Sequence, residues 1–152
     1  MNVTLSPSTG IRKCTEADIE WMAQIAHAHY PDEFDLASVA AWGRERMNNP
    51  SMTFIRGERT FGIAHLARRF HAPARVQAYL TLLYAEPGKS LSSEPFRIVK
   101  GLVAWAKGQG ATKFWLSDIS GIDLGVFAEH LGGRLAGHTY VIDLDDNGKR
   151  YG

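Results

Sequence analysis

At 152 residues, 45% of them hydrophobic, the chain has the length of one domain and enough apolar material for a single buried core. Its 17 Lys and Arg stand against 16 Asp and Glu, so no global field draws it to nucleic acid or to an anionic membrane surface. The lone Cys14 excludes an intrachain disulfide, and with six scattered His it offers no metal-ligand spacing.

A reducing, cytoplasmic setting is expected. The opening MNVTLSPSTG lacks a basic start followed by an apolar run, and no stretch of about eighteen apolar residues occurs. Neither nucleic acid, membrane nor metal is expected as a partner. Residues 1–152 read as one domain, with 1–9 a polar leader and 145–152 a polar tail.

In chain order, Ile11 to Cys14 reads as a short strand, and Thr15 with Asp18 three residues on gives a capping-box helix start. Ile19, Met22, Ala23 and Ala26 form one helical stripe that Tyr30 and Pro31 close. Asp35 is placed to cap a second helix carrying Leu36, Val39, Ala40 and Met47, ended by Asn48, Asn49 and Pro50. Met52 to Arg56 and Thr60 to Phe70 predict a hairpin about the turn Gly57 to Arg59. HAPAR, residues 71–75, predicts a second turn before a buried central strand from Val76 to Ala85.

Ser93 and Pro95 predict the start of a helix whose core face is Ile98, Val99, Leu102, Trp105 and Ala106, ended by Gly108 and Gly110. Lys113 to Ser117 predicts a strand, Asp123 to Leu131 a short helix, and Arg134 to Leu144 a closing strand interrupted near Gly137. The fold class expected is α/β, a central mixed sheet flanked by helices, with parallel pairing across a strand-helix-strand crossover.

In this order of elements the sequence resembles the GCN5-related N-acetyltransferases over nearly its whole length. The match is strongest from Tyr79 to Leu144. LYAEP, residues 83–87, resembles the family's strand end before its pyrophosphate loop; VAWAKGQG, residues 103–110, resembles the end of the following helix. VFAEHLGGRLAG, residues 126–137, resembles the last helix and the turn beyond it. These are patterns of apolar and glycine positions, which specify fold better than activity.

The resemblance implies acetyl-CoA as cofactor, with the thioester carbonyl near the amide of Leu83 and the pantetheine arm near the backbone of Ala85. It puts Ser90, Ser93 and Pro95 at motif positions that in the family hold Gln or Arg, Gly, and a small residue. Pro95 removes an amide donor, and Glu94 adds negative charge where phosphates would lie. Lys89, Ser90, Ser92 and Ser93 are the substitute phosphate donors. The family's strand carboxylate, often its base, falls at Tyr79, and an ordinary phenol with a pKa of about 10 is a poor base at neutral pH. The family's tyrosine acid falls at Ala128 and its asparagine near Gly121.

Asp118, after the fifth strand, lies where open α/β folds place functional groups, and it equally suits a turn. Tyr79 and Asp118 are therefore the candidate catalytic residues. His65 is a candidate base, or a packed strand histidine. Tyr30, Asp32 and Glu33 either shape an acceptor pocket or cap a turn. Arg68, Arg69, His71 and Arg75 around Phe70 suit an acidic partner, or a solvated hairpin end. Trp21, Trp42, Trp105 and Trp115 read as core.

Two functions are compatible with these residues. One is an acetyl-CoA-dependent acyltransferase acting on a small-molecule amine or a protein amino group. The other is a non-catalytic interaction or assembly protein of the same fold, resembling certain tailed-phage virion components, located in the host cytoplasm or the virion. A homo-oligomer is compatible with either.

Overall fold

The computed structural model describes residues 10–69, 71–87, 93–117, 124–137 and 140–144. Expectations for residues 1–9 and 145–152 fall outside that set. Strand β1 (Arg12–Lys13) leads through a 3-10 turn (Glu16–Asp18) into α1 (Ile19–His29), followed by α2 (Leu36–Arg46), β2 (Met52–Arg56), β3 (Thr60–Arg69), β4 (Ala72–Ala85), α3 (Glu94–Gly108), β5 (Phe114–Trp115) and α4 (Leu124–His130). The five strands lie in chain order, antiparallel from β1 to β4, and β5 then joins β4 in parallel after the α3 crossover. This is the mixed sheet expected.

The sheet separates two apolar layers. On one face α3 lays Ile98, Val99, Leu102, Trp105 and Ala106 over Ala64, Ala78 and Leu83. Gly62 allows this approach, because a Cβ there would meet Ile98 Cγ2 at 2.6 Å. On the other face α1 and α2 cover Phe54, Phe61, Ile63 and Tyr84 with Ile19, Met22, Ala23, Ile25, Ala26 and Ala40. Cys14 belongs to this second layer, its Sγ 3.8 Å from Met22 Sδ, and burial pushes its thiol up to about 12.

The expected helix signals act locally. The Thr15 N–H donates to Asp18 Oδ2 at 2.8 Å, and Asp35 Oδ2 accepts the Ser38 N–H at 3.0 Å. Four expectations need correction. Leu36 belongs to the predicted apolar stripe of α2 but stands 42% exposed, since it sits in the first turn, at the margin of that layer. HAPAR is not a separate turn: β4 begins at Ala72, paired with Arg69, which lengthens the hairpin. The fifth strand narrows from five residues to Phe114–Trp115. The closing strand expected at 134–144 does not form among the described residues there, which make no ladder.

Candidate active site

Besides an irregularity near the hairpin end, where Arg68 faces Val76 and Arg69 faces Ala72, strand β4 carries one extra residue in its middle. Its residues step from Leu82, opposite Ile63 on β3, to Leu80, opposite Ala64, so Thr81 is a β-bulge. A bulge bends its strand, and among the described residues β5 pairs with β4 at Ala78 and Tyr79, before the bulge. From the bulge to Ala85, no strand among the described residues pairs with β4 on the side away from β3, which leaves a gap in the ladder there. The Glu86 N–H donates to Arg59 O at 2.8 Å, on the β3 side. By the two-residue alternation of a strand, the backbone groups of Leu83 and Ala85 point the other way, into the gap.

These are the two backbone positions singled out for a cofactor. The side chain of Leu83 is 1% exposed and packs under α3, so at that position only the backbone addresses the gap. At Ala85 the structure adds a residue that the sequence reading missed. His29, from the last turn of α1, places Nε2 2.7 Å from Ala85 O and stacks on the Tyr84 ring, centroids 5.2 Å apart. A carbonyl only accepts, so Nε2 carries the proton. Tyr30 and Phe34 extend this ring cluster, and burial pushes the Tyr84 phenol up to about 12.

Tyr79 lies on the same face as Tyr84, before the bulge. Its ring stacks between His65 and Trp115, at centroid distances of 5.2 and 6.4 Å, each pair 15° from parallel. These three residues are in register across β3, β4 and β5. His65 Nδ1 lies 2.7 Å from Thr81 Oγ1, and burial lowers its pKa. The indole N–H of Trp115 donates to Gln77 Oε1 at 2.8 Å. Trp115 is thus part of a half-buried cross-strand row rather than the deep core expected.

At the start of α3, Ser93 is the exposed N-cap residue, and its side chain makes no capping hydrogen bond, contrary to the role expected for it. Lys89, Ser90, Ser92 and Asp118 lie outside the described residues, as does Gly121. Glu94, expected to set negative charge beside the phosphates, is the first residue of α3. Its carboxylate turns to the β2–β3 turn, where Oε2 accepts the Glu58 N–H at 2.9 Å and Oε1 the Arg59 N–H at 2.7 Å. Burial raises its pKa, but these amides and Thr60 outweigh that and hold it below its ordinary value.

A second network missed from the sequence anchors the far end of β4. Asp18 accepts from Arg12 Nη1 and Nη2 and from Arg56 Nη1, each at 2.9 Å. The hydrogen-bonded Arg12 guanidinium, helped by the Thr15 amide and Arg56, holds the Asp18 carboxyl well below the usual carboxylate range against the opposing effect of burial. Arg56 lies 3.5 Å over the Trp21 ring, whose Nε1 donates to Glu86 Oε1 at 3.1 Å. The network's one local signal is Asp18 in the capping box; the partners are brought by the sheet. Among the described residues no group of three or more His, Cys, Asp or Glu is placed to hold a metal ion. No helix among them is long and apolar enough to cross a membrane.

Neither a family model nor a curated protein matches the chain by sequence. Solved structures match it closely in shape. A transcriptional regulator from Bacillus halodurans C-125 superposes with a TM-score of 0.72 at 15% identity, covering 88% of this chain and 98% of that one. The glucosamine-6-phosphate N-acetyltransferase of Arabidopsis thaliana gives 0.70 at 14% identity, covering 89% and 97%. The aminoglycoside N-acetyltransferase AAC(6')-Iy in complex with CoA gives 0.68 at 11% identity, covering 88% and 92%. The chain therefore has the fold of the GCN5-related N-acetyltransferases.

Proposed function

We propose that this protein is an acyltransferase that moves an acetyl group from acetyl-CoA to an amine. The observation that carries the reading is the gap beside β4, where the backbone of Leu83 and Ala85 faces outward past the last β5 pairing. Backbone donors and acceptors in such a gap suit the amide-bearing arm of CoA, and they persist whatever the side chains. Glu94 turns its carboxylate into the β2–β3 turn, where two backbone amides hold it, rather than leaving it loose at the start of α3. Both features fit the cofactor. The neighbours that act on glucosamine-6-phosphate and on aminoglycosides support an amine as acceptor.

Acetyl-CoA would supply a thioester carbonyl open to attack by nitrogen. The Leu83 N–H is the proposed donor to that carbonyl oxygen, and the Ala85 backbone the proposed partner of the arm. Ser93, with Lys89, Ser90 and Ser92, is proposed for the phosphates. The C–N bond forms as the C–S bond breaks; one proton leaves the nitrogen and one reaches the departing sulfur. Tyr79 and Asp118 are proposed to handle them.

The second reading, a non-catalytic interaction or assembly protein, is favoured by a separate observation: the position of the family's carboxylate base holds a ring clamped between His65 and Trp115. Calorimetric titration with acetyl-CoA decides between the two readings. Saturable binding by the parent, lost in a Leu83→Pro variant that keeps its circular dichroism, is the expected result. Absence of binding at about millimolar cofactor overturns the enzyme reading, whether or not the variant folds.

A further inference from the structure

The residue that the bulge inserts into β4 carries a hydroxyl, and its position beside the gap is specific. Thr81 Oγ1 lies 2.7 Å from Nδ1 of His65, sixteen positions away on β3. His65 stacks on Tyr79, so this pair stands on the α1–α2 side of the sheet, with Leu82 and Tyr84. The opposite side is shut at this level, because the Leu83 side chain is buried under α3. A nitrogen that reaches the gap beside Leu83 therefore comes over the α1–α2 side. Thr81 stands there two residues, about 7 Å, back along the strand.

His65 is set as a base behind that hydroxyl. From β2 it is paired with Met52 and from β4 with Tyr79, which is the titratable group of the two. It forms no ion pair among the described residues, and burial lowers its pKa, so the ring is neutral at pH 7. Nε2 makes no hydrogen bond to another described residue. A neutral imidazole carries one proton, and the nitrogen that holds it fixes the direction of the bond to Thr81.

We propose that Thr81 Oγ1 donates to His65 Nδ1, and that this pair carries the proton off the acceptor nitrogen. The path rests on the acyltransferase reading. Thr81 takes the proton from nitrogen as its own hydroxyl proton passes to Nδ1, and the resulting imidazolium releases its Nε2 proton to water. The electron pair of the N–H bond stays on nitrogen, which is bonded to the acetyl carbon as the C–S pair departs with sulfur. Tyr79 and Asp118 are left the proton that sulfur takes up.

Nitrogen-15 NMR of the cofactor-free protein at pH 7 reads the tautomer, the His65 signal being the one that His65→Gln removes. The proton is expected on Nε2, with the ring titrating below the ordinary imidazole value of about 6.5. A proton on Nδ1 overturns the proposal, because His65 is then the donor and Thr81 has no base behind it. Acetyl transfer to glucosamine-6-phosphate and to kanamycin, an aminoglycoside, gives the second readout. Its kcat/KM is expected to break downward at the pH where the ring titrates, and His65→Gln to lose that break. Thr81→Val, which keeps the shape without the hydroxyl, is expected to lower kcat/KM at least about 30-fold with circular dichroism unchanged, while Thr81→Ser stays within about threefold. Thr81→Val as active as the parent overturns the path and leaves the acyltransferase reading standing. A parent that binds no acetyl-CoA by calorimetry overturns that reading, and the path with it.

Discussion

Glu94 and Gly57, thirty-seven positions apart, meet so closely that a Cβ on Gly57 would lie 2.3 Å from Glu94 Cδ. The carboxylate is not free to retreat, because Glu58 and Arg59 hold it by their amides. Gly57→Ala is expected to destabilise by about 1–3 kcal/mol, since either the turn or the carboxylate must shift. Glu94→Gln keeps the shape with a weaker acceptor and is expected to cost less. Urea denaturation of the three proteins gives the order.

Asp18 makes stability depend on acid. Its folded carboxyl titrates well below the ordinary carboxylate value of about 3.9, so the unfolded chain takes up the proton first. The stabilisation is complete above about pH 5 and is lost as pH falls through the unfolded and then the folded value. Asp18→Ala is expected to cost about 2–4 kcal/mol at pH 7, because it leaves the half-buried Arg56 without its one carboxylate partner, with only the Gly57 and Glu58 carbonyls to accept. It is also expected to flatten the acid limb of the stability profile. A series of melts from pH 7 to 3 reads both.

His29 holds the acceptor that the cofactor arm would use. If acetyl-CoA binds along β4, its arm competes with Nε2 for Ala85 O. His29→Ala removes that competition and is expected to tighten binding by about 2- to 10-fold, the worth of one net hydrogen bond. Calorimetry on parent and variant measures it; weaker binding in the variant would make His29 a contributor instead.

Tyr79 separates ring from hydroxyl. Tyr79→Phe keeps the row with His65 and Trp115 and is expected to leave stability within about 1 kcal/mol, whereas Tyr79→Ala opens it and is expected to cost about 2–3 kcal/mol. If the hydroxyl moves a proton, Tyr79→Phe lowers kcat/KM for acetyl transfer by at least about 100-fold with folding unchanged. An unchanged rate would leave Tyr79 a purely structural ring.

The elements that the sequence disclosed are those whose partners are near in the chain or whose period is long. The apolar stripe of α3 recurs at helical spacing from Ile98 to Ala106, and Asp35 caps α2 within three residues. What stayed hidden depends on distance. Nothing local says that Glu94 will reach the β2–β3 turn, that His29 will lie on Ala85, or that Arg12 and Arg56 will converge on Asp18. The strand expected at 134–144 shows the opposite limit: Tyr, Val, Ile and Leu favour a strand, but a strand also needs a neighbour. The candidate backbone contacts at Leu83 and Ala85 were legible through the resemblance alone.

The gap beside β4 begins at Thr81, the one residue by which β4 outnumbers its β3 partners between Leu80 and Leu82. Without it the strand would run straight, and β5 would have a flat edge to follow beyond Tyr79. A single inserted residue therefore stands where the described pairing of β4 with β5 ends. Such a bend is set by chain length, and a bulge adds a residue that side-chain substitution alone does not remove.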